Sequence, residues 1–452
     1  MQPLRIARLA GRTQTFWKPS LISSPLLQQH RASSSSPGPG NSWVGHKGPG
    51  GFDLRSDVMT TPTPSMLSAI RTCSMRDDVF QEDTTTSDLE AHVAGLAGKE
   101  AGLFVLSGTM GNQLALRSHL RQPPHGVLCD ENSHIFHYEA GGVASLCGAM
   151  LQAVTPKNGM YLTLEDVAAR AVLDNDVHSC PTRVISLENT LNGMVMPLSE
   201  TRRISDFARA RGIAMHCDGA RLWEAVASGA GSLADYSSLF DTLSLCMSKG
   251  LGAPVGSVLV GPAKTISHSR WVRKSIGGGL RQPGLLTAAG RVAVDEAVHL
   301  LPLAHSLARD VESIWTSRGG RLIYPVQTNM CWLDLDAARC PPDHFVKLGE
   351  RFGLALGPGR LVLNYQTAQN GEEVLSRLER VFDAVFDTAS TSTSTGKPIK
   401  AACAVSCLTD DFAGVELDEH RGVGFQALDG NGKSKVIEDE ELQLEMVEFG
   451  EG

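Results

Sequence analysis

The sequence predicts an α/β fold built on a mostly parallel sheet, and three observations carry that prediction. Short apolar runs alternate with helical patterns from Ala101 to Val260. Polar residues (Ser107, Glu188, Asp218 and Lys249) sit just beyond the carboxyl ends of those runs, where open α/β sheets gather functional groups. No run of 18 apolar residues interrupts the pattern, so no membrane span is expected.

In order along the chain, Ser87-Asp88-Leu89-Glu90 reads as a capping box, with a helix to about Gly98. Ala101–Leu106 is a strand that ends in Ser107-Gly108-Thr109-Met110-Gly111-Asn112, and Gln113–Leu120 follows as a helix. Gly126–Asp130, Arg183–Leu187, Gly212–Cys217, Leu243–Met247 and Ser257–Val260 are further strands. Thr163–Leu173 and Leu198–Arg211 are helices between them. From about Val292 a long helical pattern precedes Pro302. Strands at Arg321–Tyr324, Met330–Leu335 and Arg360–Tyr365 then point to a smaller α+β domain. The expected division is 46–300 for the large domain, 301–388 for the small one, and 389–452 for a linker and disordered tail. Asp429-Gly430-Asn431-Gly432 lacks the first ligand of a calcium loop, and no metal site is expected.

Residues 1–45 differ in composition. Nothing acidic precedes Asp53, Arg5, Arg8 and Arg12 recur at helical spacing, and Ser33–Ser36 lead into a Pro-Gly stretch. This is the composition of a mitochondrial transit peptide; an extension with no address has the same look. The formal charge of −8 and the scattered basic residues argue against nucleic acid. Ten cysteines without paired spacing suit reduced thiols.

The chemistry centres on Ser248-Lys249-Gly250. A lysine amine at the end of a core strand can form a Schiff base with a carbonyl, the aldehyde of pyridoxal phosphate (PLP) included. The same stretch also reads as a surface turn. Asp218, at the end of the preceding strand, suits a carboxylate against a pyridine nitrogen; it equally suits a helix cap before Arg221. Gly108 and Thr109 open a helix, where free N–H groups and the helix dipole favour a phosphate; such residues equally serve as an ordinary helix cap. His134 offers a ring to stack on a cofactor, or a core histidine. Four roles at compatible places in one sheet favour PLP chemistry.

These residues lie in LRSDVMTTPTPSM, SGTMGNQLAL, SHIFHYEAGGVA, SLENTLNG, HCDGARLWEA, SLCMSKGLGAPVGSVLVG and RKSIGGGLRQPG, strings that together cover about Phe52 to Phe386. In that order the chain resembles the L-threonine aldolases of the fold-type-I PLP superfamily. The resemblance implies a seven-stranded-type sheet between helices, retro-aldol cleavage of L-threonine or L-allo-threonine, and a homodimer or homotetramer with shared sites. It implies Lys249 as the Schiff-base lysine, Asp218 as the pyridine partner and His134 as the stacking, catalytic histidine. Gly108 and Thr109 would contact the phosphate, and Lys274 and Arg281 the phosphate region of a neighbouring subunit. Ser56, Arg221 and Arg360 would hold the substrate carboxylate, with Arg221 also against the cofactor. Another PLP reaction, β-elimination above all, or a homologue that has lost activity are the rival expectations. Two departures stand out. Leu191 replaces a histidine of many bacterial members, which puts the choice between threonine diastereomers in question. Asp83-Thr84-Thr85-Thr86 lacks a family proline, so a looser loop is expected there.

Overall fold

The computed structural model describes residues 51–391, 426–428 and 434–436. The expected transit segment, 1–45, lies outside the described residues, as does most of 389–452.

A seven-stranded sheet forms the main layer. Its strands are β1 (Ala101–Val105), β2 (Gly126–Asp130), β3 (Met150–Val154), β4 (Thr182–Glu188), β5 (Ala214–Gly219), β6 (Thr242–Cys246) and β7 (Ser257–Gly261). The order is β1-β7-β6-β5-β4-β2-β3. All pairings are parallel except those of β7, which runs antiparallel to β1 and β6. The reason lies in the connection: only residues 247–256 join β6 to β7, with no crossover helix to return the chain to the other end. Strands β2, β6 and β7 are buried along their whole length, as expected of strands covered on both faces. Edge strand β3 was not expected from the sequence; its half-exposed Met-Leu-Gln-Ala-Val run has neither clear alternation nor a continuous apolar signal.

The helix expected from Ser87 begins earlier. It spans Thr84–Leu96, and its cap is Asp83, which accepts hydrogen bonds from Thr86 N (2.9 Å) and Thr86 Oγ1 (2.8 Å). The stretch Asp83–Thr86, read as a loosened loop, is therefore the capped start of a helix, with Asp83 and Thr86 buried. Glu90, the supposed box partner, turns inward to accept Phe104 N at 2.7 Å.

A continuous helical rod leaves the sheet region. It runs as Gly284–Val292, a π-helical turn Ala293–Ala297, a 3-10 turn Val298–Leu300, and Leu301–Thr316 with Pro302 in its first turn. Strands β8 (Leu322–Tyr324), β9 (Met330–Leu333) and β10 (Arg360–Val362) form an antiparallel sheet ordered β10-β9-β8. A second core packs there, with Trp315, Phe345, Leu361, Phe382 and, from the start of the folded chain, Leu54. Leu54 N donates to Ala355 O and Val362 N to Leu54 O, each at 2.8 Å, so the segment carrying Arg55, Ser56 and Asp57 is stitched to β10. Separately, β11 (Gln426–Leu428) and β12 (Ser434–Val436) pair as an antiparallel ribbon inside the segment expected to be a tail.

Candidate active site

The carboxyl ends of β4, β5 and β6 converge on one site. Asp218, near the end of β5, is 3% exposed and lies in register with Glu188 of β4 and Ser244 of β6. Its Oδ1 accepts Ala220 N at 3.0 Å and its Oδ2 accepts Asn112 Nδ2 at 2.7 Å. The other proton of that amide goes to Glu139 Oε1 at 2.8 Å, and the same oxygen accepts from His134 Nδ1 at 2.8 Å. Gln113 Nε2 donates to Glu139 Oε2. His134 is anchored a second time, its main-chain N–H on Glu188 Oε2 at 2.8 Å. The bond to buried Glu139 raises the His134 pKa above the ordinary histidine value, against burial, with further help from the charge of Asp218. Ligand-type atoms of His134, Glu139 and Asp218 lie within 4.8 Å of one another. Because the amide of Asn112 donates to both carboxylates, the cluster is already organised around protons.

Lys249 is half-buried in the turn past β6, where its C=O accepts Gly252 N at 2.7 Å. Its ammonium has no hydrogen bond or ion pair among the described residues. Its charge is felt by Asp57 and by Glu188. Burial, followed by the charge of Asp218, pushes Glu188 up to about 8. The turn is tightly backed: a Cβ on Gly250 would collide with Glu224 Oε1, whose partner oxygen bonds buried His305 Nε2 at 2.7 Å. His305 belongs to the Leu301–Thr316 helix, so the pair ties that helix to the lysine turn.

Past β1 the Gly108–His119 helix is capped by Ser107, whose Oγ accepts Met110 N at 3.1 Å. That leaves Gly108 and Thr109 N–H without intrahelical partners. Ser257, at the start of β7, is fully buried, and its Oγ has no hydrogen-bond partner among the described residues. It lies 3.8 Å from where a Cβ of Gly108 would stand.

A family model described as beta-eliminating lyase matches residues 53–338. The chain belongs to the beta-eliminating lyase family. The lyase is 50% identical to "Aldolase vrtJ" of Penicillium aethiopicum, over 83% of this chain and 94% of that protein. It is 46% identical to "Alanine racemase TOXG" of Cochliobolus carbonum, over 71% and 85%. It is 44% identical to the low specificity L-threonine aldolase of Saccharomyces cerevisiae, over 75% and 87%. Among solved structures, a threonine aldolase from Leishmania major superposes with a TM-score of 0.62 at 18% identity, covering 73% of this chain and 99% of that one. A serine palmitoyltransferase solved with PLP gives 0.58 at 16%, covering 75% and 91%. These two establish the fold-type-I architecture.

PLP is the cofactor of the lyase, and the residues present fit it. Ser257 Oγ and the N–H groups of Gly108 and Thr109 are donors of the kind a phosphate takes, and Asp218 is a buried carboxylate held by two donors.

The expected substrate residues fall along the strip 55–57. Asp57 is fully buried and grips Arg221 bidentately, Nε to Oδ2 at 2.8 Å and Nη2 to Oδ1 at 2.7 Å. Burial alone would raise the Asp57 pKa, but Arg221, with Lys249 and Asn329, holds it below the usual carboxylate range. Arg360, first residue of β10, donates from Nη2 to Arg55 O at 3.3 Å. Ser56 is therefore flanked by anchors to Arg360 on one side and Arg221 on the other, and its Oγ accepts Val58 N at 3.4 Å. Lys274 and Arg281 lie apart from these. Both are exposed, Lys274 in the last turn of the Ala263–Ser275 helix and Arg281 in the loop after it, and Arg281 Nη1 donates to Asp77 Oδ2 at 2.6 Å. Leu191 is buried, lining a small cleft with Glu188, Asp130, Tyr161 and Met194. The sequence reading missed Asn112, Glu139, Asp57 and Ser257. All four are polar residues inside the recognised strings; only three-dimensional contact distinguishes them.

Proposed function

We propose that the lyase cleaves L-threonine and L-allo-threonine to glycine and acetaldehyde, with Lys249, Asp218 and His134 as its catalytic residues. The observation that carries this reading is the linkage of Asp218 to His134 through Asn112 and Glu139 at the strand ends beside the Lys249 turn. When bound, PLP supplies an aldehyde for Schiff-base exchange and a ring that takes up the electron pair released as Cα–Cβ breaks. Lys249 would hold the aldehyde, Asp218 the ring nitrogen and His134 the ring face. Gly108 and Thr109 would hold the phosphate.

The chain's own residues then orient and move protons. Arg221 uses Nε and Nη2 on Asp57, so Nη1 is the donor it presents to a substrate carboxylate. With Ser56 and Arg360 it forms a clamp that sets which Cα bond stands perpendicular to the ring. His134 Nδ1–H is committed to Glu139, so Nε2, or a water it orients, takes the proton of the substrate hydroxyl. As pH falls through the raised pKa of His134, Nε2 becomes protonated and the base is lost. Glu139→Gln keeps the shape and removes the charge. The acid limb of kcat/KM should then move to lower pH, in a profile measured at saturating PLP; an unmoved limb would remove His134 from the base role.

Leu191 provides no hydrogen bond to the substrate hydroxyl, which supports acceptance of both diastereomers. Assaying each for glycine and acetaldehyde tests the reading. Pyruvate and ammonia would indicate β-elimination, and no turnover by a yellow, PLP-loaded protein would indicate a non-catalytic homologue. The 46% identity to the alanine racemase favours a second reading, proton exchange at Cα of a small amino acid. D-alanine formed from L-alanine, without aldehyde from threonine, would establish it.

Assembly and address belong to the same reading. Lys274 and Arg281 serve the site of a neighbouring subunit in a homodimer or homotetramer. Exposed Phe80 (72%) and Trp271 (78%), close in sequence to Asp77 and Lys274, support a covered surface there. Mixing Arg281→Ala with Lys249→Ala subunits should restore activity through hybrid sites, and a fully active monomer in sedimentation would contradict it. Residues 1–45 direct the chain to mitochondria. A Met1–Gly40 reporter fusion should localise there, and a diffuse cytosolic signal would refute the address.

A further inference from the structure

Behind Asp218 runs a buried polar chain that the proposed reaction does not use. His216 and Asp218 are two residues apart on β5, so both side chains project from the same face of the sheet. Asn112 of the Gly108–His119 helix reaches both. From Asn112 Oδ1 the chain continues to His216 Nε2 (3.0 Å), from His216 Nδ1 to Thr242 Oγ1 (3.0 Å), and from Thr242 Oγ1 to His119 Nε2 (2.9 Å). His216 and Thr242 are fully buried and sit opposite one another in the β5–β6 register.

The direction of every bond in this chain is determined. Asn112 Nδ2 faces two carboxylate oxygens, so it is the nitrogen, and Oδ1 faces His216. His216 Nε2 must then carry a proton to donate. Burial drives the His216 pKa down to about 3, so the ring is neutral and its Nδ1 must accept. Thr242 has one hydroxyl proton, which it gives to His216 Nδ1; its oxygen accepts from His119 Nε2–H. The groups facing His216 are Asp218 and Glu139 beyond Asn112, and His119 beyond Thr242, the last with Asp241 and Arg121 near it.

We propose that Thr242 and His216 are positioning residues of the active site: they fix the Asn112 amide so that both its N–H groups stay on Asp218 and Glu139. This rests on the PLP reading above. Without the Thr242 hydroxyl, the neutral ring is free to move its proton to Nδ1. An Nε2 lone pair would then face Asn112 Oδ1, and the amide would lose its fixed orientation toward the carboxylates. The effect reaches the ring nitrogen through Asp218 and the stacking face through Glu139 and His134.

The test compares Thr242→Val, which keeps the shape and removes the hydroxyl, with Thr242→Ser, which keeps the hydroxyl, both as PLP-loaded enzyme. The pH midpoint of the bound-PLP absorbance should move by roughly half a unit or more in Thr242→Val and return to the wild-type value in Thr242→Ser. The kcat of Thr242→Val should fall by about three- to tenfold, with KM held within about twofold. Nitrogen-15 spectra of histidine-labelled wild-type holoenzyme give a second readout that needs no folded valine variant. The His216 signal, identified by its loss in His216→Gln, should remain the neutral Nε2–H form from about pH 6 to 9. A wild-type midpoint in folded Thr242→Val, or an Nδ1–H or titrating His216, would overturn the proposal. A wild type that shows no bound-PLP absorbance would overturn the cofactor reading itself, which separates the two failures.

Discussion

Replacing Lys249 by alanine is expected to abolish turnover together with the borohydride-reducible attachment of PLP. Among the described residues Lys249 is the lysine placed where the ends of β4, β5 and β6 meet, with Asp57 and Glu188 within reach of its charge and no ion-pair partner to occupy it. Removing the amine removes the group proposed to exchange with the substrate, so the loss should be on the order of 10³-fold or more in kcat/KM. The fold should survive. Lys249 is half-buried at the surface of the site, and the packing of its turn depends on Gly250, Glu224 and His305 instead. The measurement is peptide mapping after borohydride reduction of the wild type, beside activity and thermal unfolding of the variant. Reduced cofactor on a different lysine would remove Lys249 from its role, whatever the activity.

The parts that were readable in the sequence are those with a local physical signature. Lys249 and Asp218 lie at the ends of short apolar runs that lack helical spacing. Gly108 and Thr109 follow a strand and precede a helix, a pattern that suits an anion site but also an ordinary helix cap, and that gains weight only beside Lys249 and Asp218. Glu139 and Asn112 have no such signature. Each is an ordinary polar residue in a helix or turn, and its function appears only because the fold brings β5, the 134–145 segment and the Gly108–His119 helix together. The capping box at Ser87 failed for a related reason. Two caps competed within four residues. Asp83 prevailed because it is buried and accepts from both the main chain and side chain of Thr86, while Glu90 was recruited by Phe104 and Arg270. The long-range stitch of Leu54 to Ala355 and Val362, which carries Ser56 toward Arg360, joins residues some three hundred positions apart, and no window-based pattern reaches across that distance.

Asp218→Asn is expected to produce the other large loss, and the surrounding bonds say why. The wild-type carboxylate accepts from Asn112 on one oxygen and from Ala220 N–H on the other. An amide has one acceptor and one donor end, so in either orientation its NH₂ would face an existing donor, Asn112 Nδ2 or Ala220 N–H. One hydrogen bond is lost at a residue that is 3% exposed, and the negative charge proposed to retain a proton on the ring nitrogen disappears with it. Loss of a preorganised charge at the electron-accepting ring should lower kcat by about 10²- to 10³-fold. Binding of PLP should weaken less, because Lys249 and the donors around Gly108, Thr109 and Ser257 are untouched. Asp218→Glu should recover part of kcat if the charge is what matters, limited by the space of one added methylene. The comparison is kcat at full PLP occupancy for wild type, Asp218→Asn and Asp218→Glu, with the absorbance spectrum of each. An asparagine variant that retains wild-type kcat with PLP bound would show that the ring needs no carboxylate here, and the assignment of Asp218 would fail.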